Sequence, residues 1–301
     1  MARNFLMFFS AFLFLSIPVS SQLNENELYF PGFKDLSANL TLSGGAKIEK
    51  NGILGLTNDT IFDFTSDIVK QLQGQAFYSL PIQFKNSTNG EVFSFSSSFA
   101  LGIVPSYREF RGHGMAFTIS PSKELRGFSA QYLGLFNETN MGSLSNHLFA
   151  VEFDTIQNTE FLDINDNHVG IDINSLASNI SSAAAYIDDS STKQNLSLIS
   201  GKPILAWIDY DASENLLNVT ISPHSSKPRL PLLSFNVNLS PIFHEFMYIG
   251  FSSSTSSIGA SQSHYILGWS FKINGEATAL DLSSLPSIPD NEKQTGLTIC
   301  L

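Results

Sequence analysis

Residues 149–175 read FAVEFDTIQNTEFLDINDNHVGIDINS and hold a set of side chains that could bind metal. Glu152 and Asp154 stand two residues apart, Asn158 and Asp163 follow in a polar stretch, and His168 closes it. Hard oxygen donors suit calcium, whereas carboxylates joined by one imidazole suit manganese or a similar transition metal. The alternative is an acidic surface loop with a solvated histidine. Like charges this close repel unless a cation sits among them, which favours the metal site.

Such ligands need a rigid support, and the flanking residues supply one. Phe149, Val151 and Phe153 alternate with Ala150, Glu152 and Asp154, so the two acids leave one face of a strand whose other face is apolar. After the loop, Val169, Ile171 and Ile173 begin a second alternation. The unit is a strand, a loop and a returning strand.

The chain has 301 residues, of which 43% are hydrophobic and 12% aromatic, including 26 Phe. That is enough for one large all-β domain. Charged residues make up only 14%, and the formal net charge is −11. Nucleic acid is excluded as a partner, because its phosphates demand clustered Lys and Arg. Residues 1–21 read as a signal peptide, with Arg3 at its start, an apolar run over residues 5–19 and small residues before Gln22. The run is shorter than the ~20 residues a membrane span needs. Cys300 is the single cysteine, so the domain relies on its core rather than on disulfides. Sequons for N-glycosylation begin at Asn39, Asn58, Asn86, Asn137, Asn179, Asn195, Asn218 and Asn238 and agree with export. Asn218 lies opposite Leu217, Val219 and Ile221 in an alternating strand, which places it facing solvent.

The remaining chain reads as short strands divided by polar turns. Candidates are residues 28–30, 39–42, 46–48, 53–56, 74–80, 115–119, 183–187, 203–210, 216–222, 248–252 and 266–273. Residues 92–104 form a long alternation with Phe and aliphatic residues on one parity and Ser on the other, a strand with one buried face. Residues 253–264 form a Ser- and Thr-rich loop of a length usually kept for function. No helical period appears beyond the first 21 residues. Many short strands with polar turns argue for an all-β sandwich or barrel.

The segment 149–175, with IDYDASENLLNVTIS and ILGWSF further on, resembles the legume-type lectins, most closely the lectin ectodomains of plant receptor kinases. The resemblance runs over about residues 28–273 and implies an all-β, legume-lectin-like jelly-roll sandwich of two large antiparallel sheets. It assigns the transition metal, Mn2+, to Glu152, Asp154, Asp163 and His168. It assigns Ca2+ to Asp154, Asp163, Asn158 and the carbonyl of Ile156. The implied divisions are a signal peptide (1–21), a lectin domain (22–279) and a Ser/Pro-rich tail (280–301) resembling a juxtamembrane linker. The expectation is a soluble protein, secreted or at the plant cell surface, with neither transmembrane helix nor kinase. A homodimer remains open, and membrane association requires a longer form.

The resemblance thins at the sugar pocket. Asn158 is retained, but His113 stands where the family has Asp, Gln131 where it has Gly, and Ile156 where a stacking aromatic is usual. The variable loop corresponds to residues 253–264, with Ser256 and Ser257 as candidate contacts. A carboxylate accepts charge-assisted bonds from neighbouring hydroxyls, whereas a neutral His accepts one and a protonated His none. Two binding functions follow: glycan recognition, or a lectin-like domain that has lost monosaccharide binding and senses a nucleotide, an apolar molecule or a protein. A third reading, glycoside hydrolysis, needs a second carboxyl group where Ile156 and Gln157 stand. The expectation is therefore no enzyme.

Overall fold

The computed structural model describes residues 27–57, 73–105, 112–255 and 262–289. The expected signal peptide (residues 1–21), the Asn58 sequon, Ser256, Ser257 and residues 290–301 of the expected tail lie outside them.

Among the described residues, eighteen strands, numbered in chain order, form two large sheets and a small ribbon. The first sheet runs β16 (Leu233–Asn236), β15 (Leu216–Ser222), β14 (Ile204–Asp211), β7 (Phe95–Pro105), β18 (Gln262–Ile273), β4 (Leu54–Thr57) and β3 (Lys47–Ile48), with β1 (Glu27–Phe30) also on β18. The second runs β11 (Ile180–Ala183), β10 (His168–Ile173), β9 (Phe149–Asp154), β8 (Gly114–Ser120), β17 (Phe246–Ser254), β5 (Gln73–Tyr78) and β2 (Leu40–Gly44), with β6 (Ile82–Gln83) on β17. The ribbon pairs β12 (Ala185–Ile187) with β13 (Lys193–Asn195). Every pairing is antiparallel.

Strand alternation builds the core. Phe99, Leu101 and Ile103 of β7 and Ile204, Ala206 and Ile208 of β14 meet Phe117 of β8, Val151 and Phe153 of β9 and Phe251 of β17 between the sheets. The Phe99 ring lies 5.0 Å from that of Phe251, which lies 5.0 Å from Trp269. Edge-on contacts of this kind add stabilisation beyond the buried area.

Four sequence expectations are corrected. β7 is buried on both faces, not one, because a second apolar layer covers the outer side at Ala100 and Val104. Residues 183–187 do not form one strand: the chain breaks at Ala184, with β11 in the second sheet and β12 in the ribbon. The loop proposed over 253–264 is shorter, since β17 continues through Ser254 and β18 begins at Gln262. Asn218 lies half-buried, its side-chain oxygen sealed from solvent, rather than facing it. Segment 280–289, linker-like by composition, lies against the outer face of the first sheet.

The second sheet positions the site. Its outer face carries Ala116 of β8 and Ala150 of β9, small enough for loops to pack closely. Leu133, Leu135, Phe136, Phe161 and Leu176 close over them. The loop holding Phe161 is thereby anchored beside the acids of β9.

Candidate metal centre and adjoining ligand site

In the β9–β10 register His168 pairs with Asp154 and Gly170 with Glu152, so the imidazole and both acids share the outer face. Glu152, Asp154 and His168 are all buried, and each offers a ligand atom within 4.8 Å of the others. His168 Nε2 lies 3.4 Å from Glu152 Oε1 and 3.9 Å from Asp163 Oδ1. The other ring nitrogen, Nδ1, is hydrogen-bonded to the Asn165 carbonyl at 2.9 Å. A carbonyl acceptor fixes the proton on Nδ1 and leaves Nε2 with a lone pair. That atom is buried and has no hydrogen-bond partner.

The loop turns on itself to bring Asn158 and Asp163 alongside. The Asn158 amide N–H donates to Asp163 Oδ2 at 2.6 Å, and the Ile156 N–H donates to Asp154 Oδ1 at 2.7 Å. Each carboxylate keeps a further oxygen, and the backbone at Ile156 is held close to Asp154.

The electrostatics describe acids lacking counter-charge. Burial, then the charges of Glu152 and Asp163, push the Asp154 carboxyl well above its usual range. Burial is also the first cause raising Asp163 to about 6. Burial works against a proton on His168, but the Glu152 and Asp163 carboxylates and the Asn165 carbonyl outweigh it and raise its pKa. A bound cation would reverse these tendencies by favouring the ionised acids and neutral imidazole.

Two further residues belong to this centre and were missed in the sequence reading. Asp172 of β10 is fully buried, and neither carboxyl oxygen has a hydrogen-bond partner. Burial first, then the charge of Glu152, raise its pKa well above the ordinary value. Ser178 donates through Oγ to Glu152 Oε1 at 2.6 Å. Gly170 makes this packing possible: a Cβ there would overlap the Ser178 hydroxyl and the Glu152 carboxylate. The signal for Asp172 was its parity, since it alternates with Val169, Ile171 and Ile173 exactly as His168 does.

The predicted sugar contacts lie next to the metal loop. His113 is buried, and its Nδ1 lies 3.3 Å from Asn158 Oδ1. Burial is the main cause lowering its pKa, against smaller raising effects from Asn158 and Glu160. Gln131 sits in a half-buried turn, Ala130–Tyr132. β17 links the two, because Ser254 Oγ accepts from Ala130 N at 2.6 Å while the Ser254 carbonyl accepts from His113 N at 3.2 Å. Gln75 fastens the same turn by donating to the Gly134 carbonyl at 2.7 Å. No peptide bond is cis among the described residues, so Gly112–His113 is trans.

Behind His113 lies a buried polar network that the sequence reading assigned to a loop. Gln262 Oε1 accepts from Gly112 N at 2.8 Å and from Thr155 Oγ1 at 3.3 Å. His264 Nδ1 lies 2.6 Å from Thr57 Oγ1, while its Nε2 and the Gln262 Nε2 are buried without partners.

The profile of the legume lectin domain matches residues 25–287. The chain belongs to the legume lectin family. It is 48% identical to the L-type lectin-domain containing receptor kinase V.9 of Arabidopsis thaliana over 287 residues, covering 94% of this chain and 40% of that one. Against the L-type lectin-domain containing receptor kinase SIT2 of Oryza sativa subsp. japonica the identity is 43% over 288 residues, or 94% and 41% of the two chains. The chain therefore spans less than half the length of these receptor kinases. Among solved structures it is similar to lectin II of Ulex europaeus, with a TM-score of 0.67, 26% identity and coverage of 83% of this chain and 98% of that one. It is similar also to lectin I-B4 of Griffonia simplicifolia in its metal free form, with a TM-score of 0.68, 29% identity and coverage of 83% and 99%. The family and these neighbours support a lectin-like carbohydrate-binding domain and suggest a non-enzymatic one. Among the described residues no helix is long and apolar enough to cross a membrane.

Proposed function

We propose that this domain recognises glycans outside the cell, through a surface stiffened by one transition metal ion and one calcium ion. The observation that carries the metal part is the partnerless Nε2 of His168 among Glu152, Asp154 and Asp163, a donor set suited to manganese. Asp154, Asp163, Asn158 and the Ile156 carbonyl supply the oxygen donors calcium prefers. The Asn158 side-chain oxygen has two lone pairs, so it can accept from His113 and still face a cation. In this reading the ions fix the loop and do not touch sugar. Asn158, His113, the turn at Gln131 and the segment with Ser256 and Ser257 meet the ligand. Glycosylation at the sequons, secretion or cell-surface display, and a homodimer belong to the same proposal.

A second reading is favoured by His113. Its Nδ1 is engaged by Asn158, and burial holds the ring neutral, so it offers hydroxyl groups less than an aspartate would. On this reading the metal-stiffened sandwich senses a nucleotide, an apolar molecule or a protein. A glycan array on glycosylated, metal-loaded protein, with an EDTA-treated control, separates the two. EDTA-sensitive binding to one glycan class supports the lectin reading. A blank array from folded, metal-replete protein removes it and leaves the sensor.

A further inference from the structure

Each backbone polar group of Gly112 and His113 has a partner. Gly112 N donates to Gln262 Oε1 at 2.8 Å, and the Gly112 carbonyl accepts from Thr155 Oγ1 at 2.6 Å. His113 N donates to the Ser254 carbonyl at 3.2 Å, and the His113 carbonyl accepts from Thr155 N at 3.4 Å. Ser254 ends β17 and Thr155 follows β9, so both stand on the second sheet, as His113 does beside β8. Gln262 opens β18 and is the one partner that reaches across from the first sheet. The glycines around His113 make these approaches possible. A Cβ on Gly112 would lie 2.6 Å from Gln262 Oε1, and one on Gly114, where φ is +104°, would lie 2.2 Å from the Phe153 carbonyl oxygen.

Gln262 is itself fixed. It is fully buried, and β18 pairs it with Pro105 of β7. Its carbonyl accepts from Thr57 Oγ1 at 3.1 Å. That bond uses the single hydroxyl proton of Thr57, so in the 2.6 Å contact with His264 Nδ1 the ring nitrogen is the donor. A buried chain of bonds therefore runs from His264 through Thr57 and Gln262 to Gly112. An amide side chain is costly to bury unless it is hydrogen-bonded, and packing alone would be served by an aliphatic residue.

We propose that Gln262 is a positioning residue for His113: through the Gly112 amide it sets where the ligand-facing imidazole stands, without meeting the ligand itself. The inference rests on the reading of His113 as a ligand contact. Asn158 is placed separately, by its amide bond to Asp163 within the metal loop. The 3.3 Å contact between His113 Nδ1 and Asn158 Oδ1 thus joins a side chain set by the metal loop to one set by a buried clamp on the other sheet. A displacement of an ångström at Gly112 would part the two.

The test uses the full, metal-loaded chain and Gln262→Asn, which withdraws the acceptor oxygen by one methylene. Hydrogen exchange of the Gly112 amide reports the clamp. Ring-nitrogen NMR shifts of His113, assigned with His113→Ala, report where the imidazole stands. The native chain is expected to show a protected Gly112 amide and a His113 ring protonated on Nδ1, the tautomer that donates to Asn158. In Gln262→Asn the Gly112 amide should exchange roughly tenfold faster, the scale of one lost net hydrogen bond. The His113 shifts should move toward the tautomer mixture of free imidazole. Gln262→Met, which fills the space without the oxygen, carries the same comparison if the shorter side chain does not fold. His264→Gln, altered in the same network but away from Gly112, should keep both native signatures. A Gly112 amide that exchanges freely in the native chain overturns the proposal. So do His113 shifts that stay native once Gly112 is released, or equal shifts in His264→Gln. Neither readout uses a ligand, so a blank glycan array, which removes the lectin reading, is a separate result from failure of the clamp.

Discussion

His168 Nε2 faces Glu152 Oε1 across 3.4 Å without forming a hydrogen bond, deep in a surface that holds more acids than bases. An uncompensated buried carboxylate is costly, and a buried imidazole lone pair with no donor adds to that cost. A cation among these groups relieves both. Removing it with EDTA is therefore expected to lower the melting temperature by roughly 5–10 °C at saturating metal, by mass action on a domain this size. Differential scanning calorimetry with manganese and calcium added back checks this. An unchanged melting temperature would remove the metal reading.

The pH dependence of stability should differ with and without metal. Asp163 rises from 3.8 to about 6 in the folded, metal-free chain. Its folded pKa lies above its unfolded value, so the native state binds more protons between them. The associated stability is present below about pH 3.8 and is lost as pH rises through about 6. Metal needs the ionised acids and neutral imidazole, so its affinity falls as pH drops through the same window. Urea titrations from pH 4 to 7 are expected to show the stability difference between metal-loaded and EDTA-treated protein growing as pH rises, the contribution of His264 being common to both. Parallel curves would contradict the assignment.

Gly170→Ala tests the packing beneath the metal. The added methyl meets the Ser178 hydroxyl and Glu152 carboxylate. Overpacking of this kind costs about 1–3 kcal/mol. The larger expected effect is on metal: manganese affinity should weaken by tenfold or more, because Glu152 must swing away, as calorimetric titration would record. Asp172→Asn is the contrasting change. Burial raises the Asp172 pKa and so favours its uncharged form, and an amide of the same shape is expected to replace it with little loss. Asp172→Ala leaves a cavity at a fully buried position and should cost about 1–3 kcal/mol by urea unfolding.

The buried group of Glu152, Asp154 and His168 was legible because its members lie within one short stretch, where alternation and a single loop fix their faces. Asp172 obeyed the same alternation but was passed over, because the returning strand was read for its apolar parity alone. The ends of β17 and β18 were hidden for a different reason. Ser253, Ser254 and Ser263 look like loop residues, yet pairing with β8, β5 and β7 makes them buried strand. That pairing is non-local, and composition carries no trace of it. Segment 280–289 shows the same limit, since its Leu285 and Ile288 side chains pack at Gly268 and Gly102, far away in sequence.

His264 gives a last prediction at the ligand end of the molecule. Burial first, then the neighbouring His113, lower its pKa from 6.5 to about 3. The native state therefore excludes a proton that the unfolded chain binds between those values. Stability from this group is fully present above about pH 6.5 and is lost as pH falls toward about 3, with a slope of roughly 1 kcal/mol per pH unit. His264→Gln can still bond Thr57 but cannot titrate. At pH 7.5 it should be less stable than the native chain by about 1–2 kcal/mol, the cost of a poorer fit in a buried network. At pH 5 the gap should shrink by roughly 1–2 kcal/mol, because only the native chain carries the histidine penalty. Urea midpoints at both values, with metal present in each, decide it. A gap that stays constant with pH would show that His264 takes up its proton in the folded state as readily as in the unfolded one.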